Sequence, residues 1–166
     1  MHRGFLIFLA GLMMGVPVVA QEIAQPAAQN VETELAPTEA WGEDRTIVFD
    51  ARDIDLADFQ WIARPVVVFA DSTNDPAFQR QMELLRARPE ALADRDVVVV
   101  TDTDASELSD IRRKLRPRGF MLVLMGKDGG VKLRKPFPWD VREISRSIDK
   151  MPMRLQEMRE RSSATP

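Results

Sequence analysis

An α/β domain with a central mixed sheet of about four or five strands, flanked by helices, is predicted by three observations. Residues 64–70 (RPVVVFA) and 97–100 (VVVV) are continuous apolar runs rich in β-branched residues, a composition that suits strands covered on both faces. Between them, and again after the second, apolar residues recur at helical spacing. Near the end of the chain, 120–125 and 131–134 flank Lys127-Asp128-Gly129-Gly130, the signature of a hairpin.

The elements follow in order. Ile47-Val48-Phe49 is a short strand, and Ile54 to Trp61 is expected to form a short helix with Leu56, Phe59 and Trp61 on one side. The run 64–70 is the central strand. Asp75 caps and Pro76 opens the next helix, whose buried face carries Phe78, Met82 and Leu85. After 97–100, a helix beginning near Asp104 or Ser106 turns Leu108, Ile111 and Leu115 inward and stops at Pro117 and Gly119. The hairpin follows. A last helix begins at Pro138 or Asp140 with Val141, Ile144 and Ile148 inward, is broken at Pro152, and resumes for a turn or two through Leu155 and Met158.

The chain ahead of this domain has a different character. A basic start, an apolar run from Phe5 to Val19 and the small residues Val18 and Ala20 read as an export signal, 1–20, cleaved before Gln21. The apolar run is shorter than the roughly 20 residues needed to span a bilayer. Residues 21–45, rich in Ala, Gln, Glu and Pro, are expected to be a disordered acidic linker. The folded domain is placed at 46–161, with a disordered tail at 162–166. Export implies a periplasmic or secreted protein and no stable membrane span after cleavage.

The order of strands and helices is similar to a thioredoxin fold. The stretches RGFMLVLMGKDGGVKLR and IDKMPMRLQEMR resemble the DUF4174 family of exported bacterial proteins, over residues 55–160. Related domains occur in vertebrate extracellular matrix proteins of the coiled-coil-domain-containing 80 and sushi-repeat groups. The resemblance implies a thioredoxin-like fold and an exported location, and it implies no mechanism. It places Asp71, Ser72, Thr73 and Asp75 where a thioredoxin carries its redox pair, and Met121 where such a domain has a cis proline.

The chain contains no cysteine. Disulfide exchange needs a thiolate to attack a disulfide sulfur, so thiol-disulfide oxidoreductase chemistry is excluded. Ser72 and Thr73 are hydroxyls beside carboxylates, and the corner from Asp71 to Asp75 reads either as a turn and helix cap, as an anion or peptide site, or as a non-thiol catalytic site. The catalytic reading lacks a base, because the only histidine is His2, inside the leader. Asp102, Asp104, Glu107 and Asp110 offer hard oxygen ligands, but their spacing lacks the glycine and distal glutamate of a calcium loop. Capping and a solvated acidic face compete with a weak metal site there, or with a metal-dependent hydrolase. Nothing in the sequence calls for a cofactor.

The strongest polar signal is basic. Nine cations lie between Arg112 and Lys135 against the single acid Asp128. From these, Arg112, Arg113, Arg116, Lys132 and Arg134 are expected to form an anion-binding face for an envelope protein or an anionic polymer, if the helix and hairpin lie side by side. Nucleic acid is disfavoured by export and by the scarcity of aromatic residues among the cations. Met153, Leu155 and Met158 form an apolar stripe that either packs on the domain or binds a partner. The sequence thus reads as a noncatalytic binding or scaffolding module.

Overall fold

The structure, a computed structural model, describes residues 35–164. The expected export signal at 1–20 and the expected linker as far as 34 lie outside the described residues.

Five strands form one mixed sheet in the order β1-β3-β2-β4-β5. They are β1 (Val48–Asp50), β2 (Arg64–Phe69), β3 (Val97–Asp102), β4 (Met121–Met125) and β5 (Val131–Lys135). Strands β1, β3 and β2 run parallel, whereas β4 is antiparallel to β2 and β5 antiparallel to β4. The helices are α1 (Pro37–Glu43), α2 (Pro76–Arg86), α3 (Pro89–Ala93), α4 (Asp110–Leu115), α5 (Val141–Asp149) and α6 (Pro152–Ala164). This is a thioredoxin-like α/β arrangement with the run 64–69 at the centre of the sheet, as its unbroken apolar character requires.

Strand alternation sorts the core into two faces. Val66, Val68, Val97, Val99, Leu122 and Leu124 turn to one side, where α2, α3 and α5 cover them with Met82, Leu85, Leu92, Val141, Ile144 and Ile148. Val67, Phe69, Val100, Val123 and Met125 turn to the other, against Ile111 and Leu115 of α4.

Four local expectations are corrected. The linker expected to reach residue 45 is instead folded over its last part. Helix α1 buries Trp41 to 1% exposure, edge-on to Phe59 at 6.2 Å and beneath the Arg45 guanidinium at 4.0 Å. A seven-residue helix does not hold itself together in water, so this tertiary contact is what forms it. Second, 54–61 forms no helix, and 56–62 is a succession of turns. The Asp55 carboxylate accepts the Ala57 N–H at 2.8 Å, a local bond that competes with helical pairing. Leu56 and Phe59 are buried as expected, but Trp61 adopts a positive φ of 66° and is exposed. Third, α4 begins later than expected. Asp104 binds the N–H groups of Ser106 and Glu107 in a turn, Ser109 caps the helix, and Leu108 is left exposed. Fourth, α6 continues to Ala164, so residues 162–164 of the expected tail are helical.

Candidate functional site

The C-terminal ends of β2 and β3 meet the loop 71–75, where the thioredoxin-type site would lie. Asp75 caps α2, accepting the N–H groups of Ala77 at 2.7 Å and Phe78 at 3.3 Å. The free donors of that helix end are thereby occupied. Ser72 Oγ accepts the Asn74 N–H at 3.1 Å, and the Thr73 carbonyl accepts from the Gln79 amide at 3.5 Å. Met121 lies opposite Phe69 in the antiparallel pair. The corner is a turn and cap.

Beside it is an arrangement that the sequence did not reveal. Arg112, expected on an exposed basic face, is buried at 6% exposure, and Asp102 at 4%. Arg112 Nε donates to Asp102 Oδ1 at 2.8 Å, and Nη2 donates to the carbonyls of Ala70 at 2.7 Å and Asp102 at 3.0 Å. Asp102 Oδ2 accepts from Ser109 Oγ at 2.6 Å, and Ser109 Oγ in turn accepts the Arg112 N–H at 2.9 Å. The exposed Asp71 carboxylate is 3.6 Å from Arg112 Nη1. This lattice ties β2, β3 and α4 together. With both of its oxygens engaged, Asp102 is a structural anion rather than a poised base. The signal that a sequence reader has for this is an Asp ending an apolar strand and an Arg at a helical position between Ile111 and Leu115.

The other acidic candidates do not converge. Asp104 is held below the usual carboxylate range by the Ser106 hydroxyl and the N–H groups of Ser106 and Glu107. Glu107 reaches Arg52 at 3.5 Å, and Asp110 pairs with Arg113. Among the described residues no three His, Cys, Asp or Glu side chains are grouped to hold a metal ion.

The expected basic face is divided. Arg113 is paired with Asp110, and Lys132 with Asp128 at 2.6 Å. That Lys132 bond is the main reason the Asp128 carboxyl lies below its usual range, helped by the Gly130 N–H. Arg134 reaches the backbone of the residue that precedes Arg116. Arg134 shares the α4 side of the sheet with Val123, its neighbour on β4, and its Nη1 donates to the Leu115 carbonyl at 2.6 Å. The guanidinium therefore sits at the C-terminal end of α4, where a cation is favoured. Lys114, Arg116 and Arg118 are exposed, and neither they nor Arg134 has a carboxylate partner among the described residues.

The C-terminal stripe is also split. Met153 lines a cavity of about 170 Å³ with Arg64, Lys127 and Met151, whereas Leu155 and Met158 are exposed on another side of α6. Beneath α6 is a second charged lattice. Glu157 pairs with Arg64 at 2.8 Å, Lys127 at 3.1 Å and Arg154 at 3.4 Å. Asp96 pairs with Lys127 at 2.7 Å and Arg45 at 2.9 Å, and Asp149 with Arg95 at 2.8 Å. Arg64 and Arg154 are 1% and 5% exposed.

Among solved structures, the chain is similar to the mitochondrial 2-Cys peroxiredoxin from Plasmodium falciparum, at 15% identity over 71% of this chain and 92% of that one, with a TM-score of 0.46. It is also similar to a yeast mitochondrial 1-Cys peroxiredoxin, at 18% identity over 64% of this chain and 97% of that one, with a TM-score of 0.43. The family model described as "Domain of unknown function (DUF4174)" matches residues 55–157, from the turns that carry Leu56 and Phe59 to the Glu157 carboxylate under α6. By that match, which covers most of the folded domain, the chain belongs to the DUF4174 family.

Proposed function

We propose that this protein is a noncatalytic, exported binding module that recognises an anionic partner, an envelope protein or an anionic polymer, through Lys114, Arg116, Arg118 and Arg134. The observation that carries the reading is the bond from Arg134 to the Leu115 carbonyl. It joins the hairpin to the end of α4, next to the exposed Lys114, Arg116 and Arg118 in the chain, and none of the four has a carboxylate partner among the described residues. Arg116 adds weight. It adopts the left-handed conformation at the C-cap, φ 49° and ψ 59°, which costs a non-glycine residue roughly 1 kcal/mol. Glycine would serve that backbone better, and arginine supplies charge there instead. The absence of cysteine removes thiol redox chemistry from this fold, and the 71–75 corner supplies no nucleophile with a base.

Binding is expected to weaken steeply with salt, since the screening length falls from about 10 Å at 0.1 M to roughly 3 Å at 1 M. Retention on heparin and on anionic liposomes across that range measures it. The double change Arg116→Glu and Arg134→Glu is expected to abolish retention, whereas Arg80→Glu, on α2, leaves it intact. Retention indifferent to salt and to the double change sinks the proposal. The exported location is tested separately: protein recovered from the producing cell is expected to begin at Gln21, and recovery of the uncleaved chain would contradict it.

A further inference from the structure

The opposite side of the sheet carries a second concentration of cations. Along α5, Arg142, Ser145, Arg146 and Asp149 are three and four residues apart and share one side of the helix. They face Arg88 and Arg95 across a cleft of about 290 Å³ between α3 and α5. Four guanidiniums and one carboxylate therefore line the cleft. Asp149 is fully engaged, its two oxygens accepting from Arg95 Nε at 2.9 Å and Nη2 at 2.8 Å. A third bond, from Arg95 Nη1 to the Ala91 carbonyl at 2.9 Å, fixes that guanidinium in the cleft wall. Arg146 shares Glu143 at 2.7 Å. Arg88 and Arg142 have no carboxylate partner among the described residues.

An independent observation points into the same cleft. Ser145 is 8% exposed and lines it, yet its hydroxyl has no hydrogen-bond partner among the described residues. The buried side-chain polar atoms without a hydrogen-bond partner are, among the described residues, Trp41 Nε1 and Arg154 Nε, so the Ser145 hydroxyl is open to the cleft and free to donate to an acceptor bound there.

We propose that the cleft between α3 and α5 binds a tetrahedral oxyanion, a phosphate or sulfate group, with Arg88, Arg142 and Arg95 donating from its rim and Ser145 from its floor. All four cations are arginines, whose planar fork matches phosphate and sulfate oxygens in pairs, where lysine offers only a point charge. The bound anion offsets the mutual repulsion of the guanidiniums and accepts from Ser145. The site lies on the side of the sheet away from Arg116 and Arg134, so it is independent of the surface proposed above.

The test is titration of the purified protein with inorganic phosphate and, separately, with sulfate, at constant ionic strength set by chloride, followed by amide chemical shifts and calorimetry. Saturable shifts are expected at Ala91, Arg142, Ser145 and Arg146. Loss of two charge-assisted donors, in Arg88→Gln with Arg142→Gln, is expected to weaken binding by about tenfold or more. Both positions are exposed, and Arg142→Gln alone serves if the double variant is poorly folded. Arg116→Glu with Arg134→Glu is expected to leave these shifts unchanged. Which of phosphate and sulfate binds more tightly identifies the source of the oxyanion. Shifts matched by chloride alone, shifts centred elsewhere, or affinity unaltered by the arginine changes would overturn the proposal.

Discussion

Asp102→Ala is expected to cost about 3–5 kcal/mol of folding stability, measured by urea denaturation, because it strands a buried guanidinium without its anion. Arg112 and Asp102 are both almost wholly removed from solvent, so water does not screen the loss. A domain of this size has only about 5–15 kcal/mol in total, and a change of that size removes much of it. Replacing both partners, Asp102→Leu with Arg112→Met, is expected to recover part of the loss, since an apolar pair has no charge to desolvate. Recovery is incomplete because Arg112 also donates to the Ala70 carbonyl, and a buried acceptor left without its donor costs about 1–3 kcal/mol. A loss below about 1 kcal/mol for Asp102→Ala would show that the lattice is not what holds α4 to the strand ends.

Glu157→Ala is expected to be comparably severe, and Arg64→Met milder, although Arg64 is the more deeply buried of the two. The lattice under α6 holds five cations (Arg45, Arg64, Arg95, Lys127 and Arg154) against three carboxylates (Asp96, Asp149 and Glu157). Removing a cation leaves the acids still paired. Removing Glu157 leaves Arg64 and Arg154, both nearly buried, with only their longer contacts to Asp96 at 3.8 Å and Asp149 at 3.6 Å, so the expected loss approaches the about 3–5 kcal/mol of a buried charge stripped of its partner. Equal effects of the two changes would contradict this charge accounting.

The same lattice sets a pH dependence. For Asp96, Asp149 and Glu157, burial is the largest single influence and pushes the pKa up, but the bonded cations together outweigh it. Lys127 and Arg45 act on Asp96, Arg95 on Asp149, and Arg64 and Lys127 on Glu157. All three carboxyls therefore lie below their ordinary values of 3.8 for the aspartates and 4.5 for the glutamate. A carboxyl whose pKa is depressed on folding stabilises the fold fully above its ordinary value. That contribution is lost as pH falls through the lowered value. Stability is thus expected to be level at neutral pH and to decline below about pH 4.5, with Glu157→Gln showing a shallower decline.

Much of the fold was legible in the sequence because burial and period report directly on it. Val66 to Phe69 had to be covered on both faces, Asp75-Pro76 had to open a helix, and Gly129 had to sit in the hairpin turn, where φ is 75°. The absence of cysteine settled the chemistry this fold does not perform. What the sequence left open is decided by contacts between distant segments. Trp41 looked like one aromatic residue in a polar linker until Phe59 and Val98 were seen to receive it. Arg112, Arg113, Arg116, Lys132 and Arg134 carry equal charge in the sequence. The tertiary structure buries the first on Asp102, pairs the second and fourth with Asp110 and Asp128, and leaves only Arg116 and Arg134 without an anion. Arg88 and Arg142, more than fifty positions apart, became neighbours only when α3 packed on α5. Periodicity tells which residues must leave water, but the field a charge produces depends on which opposite charge the fold places within a few ångströms of it.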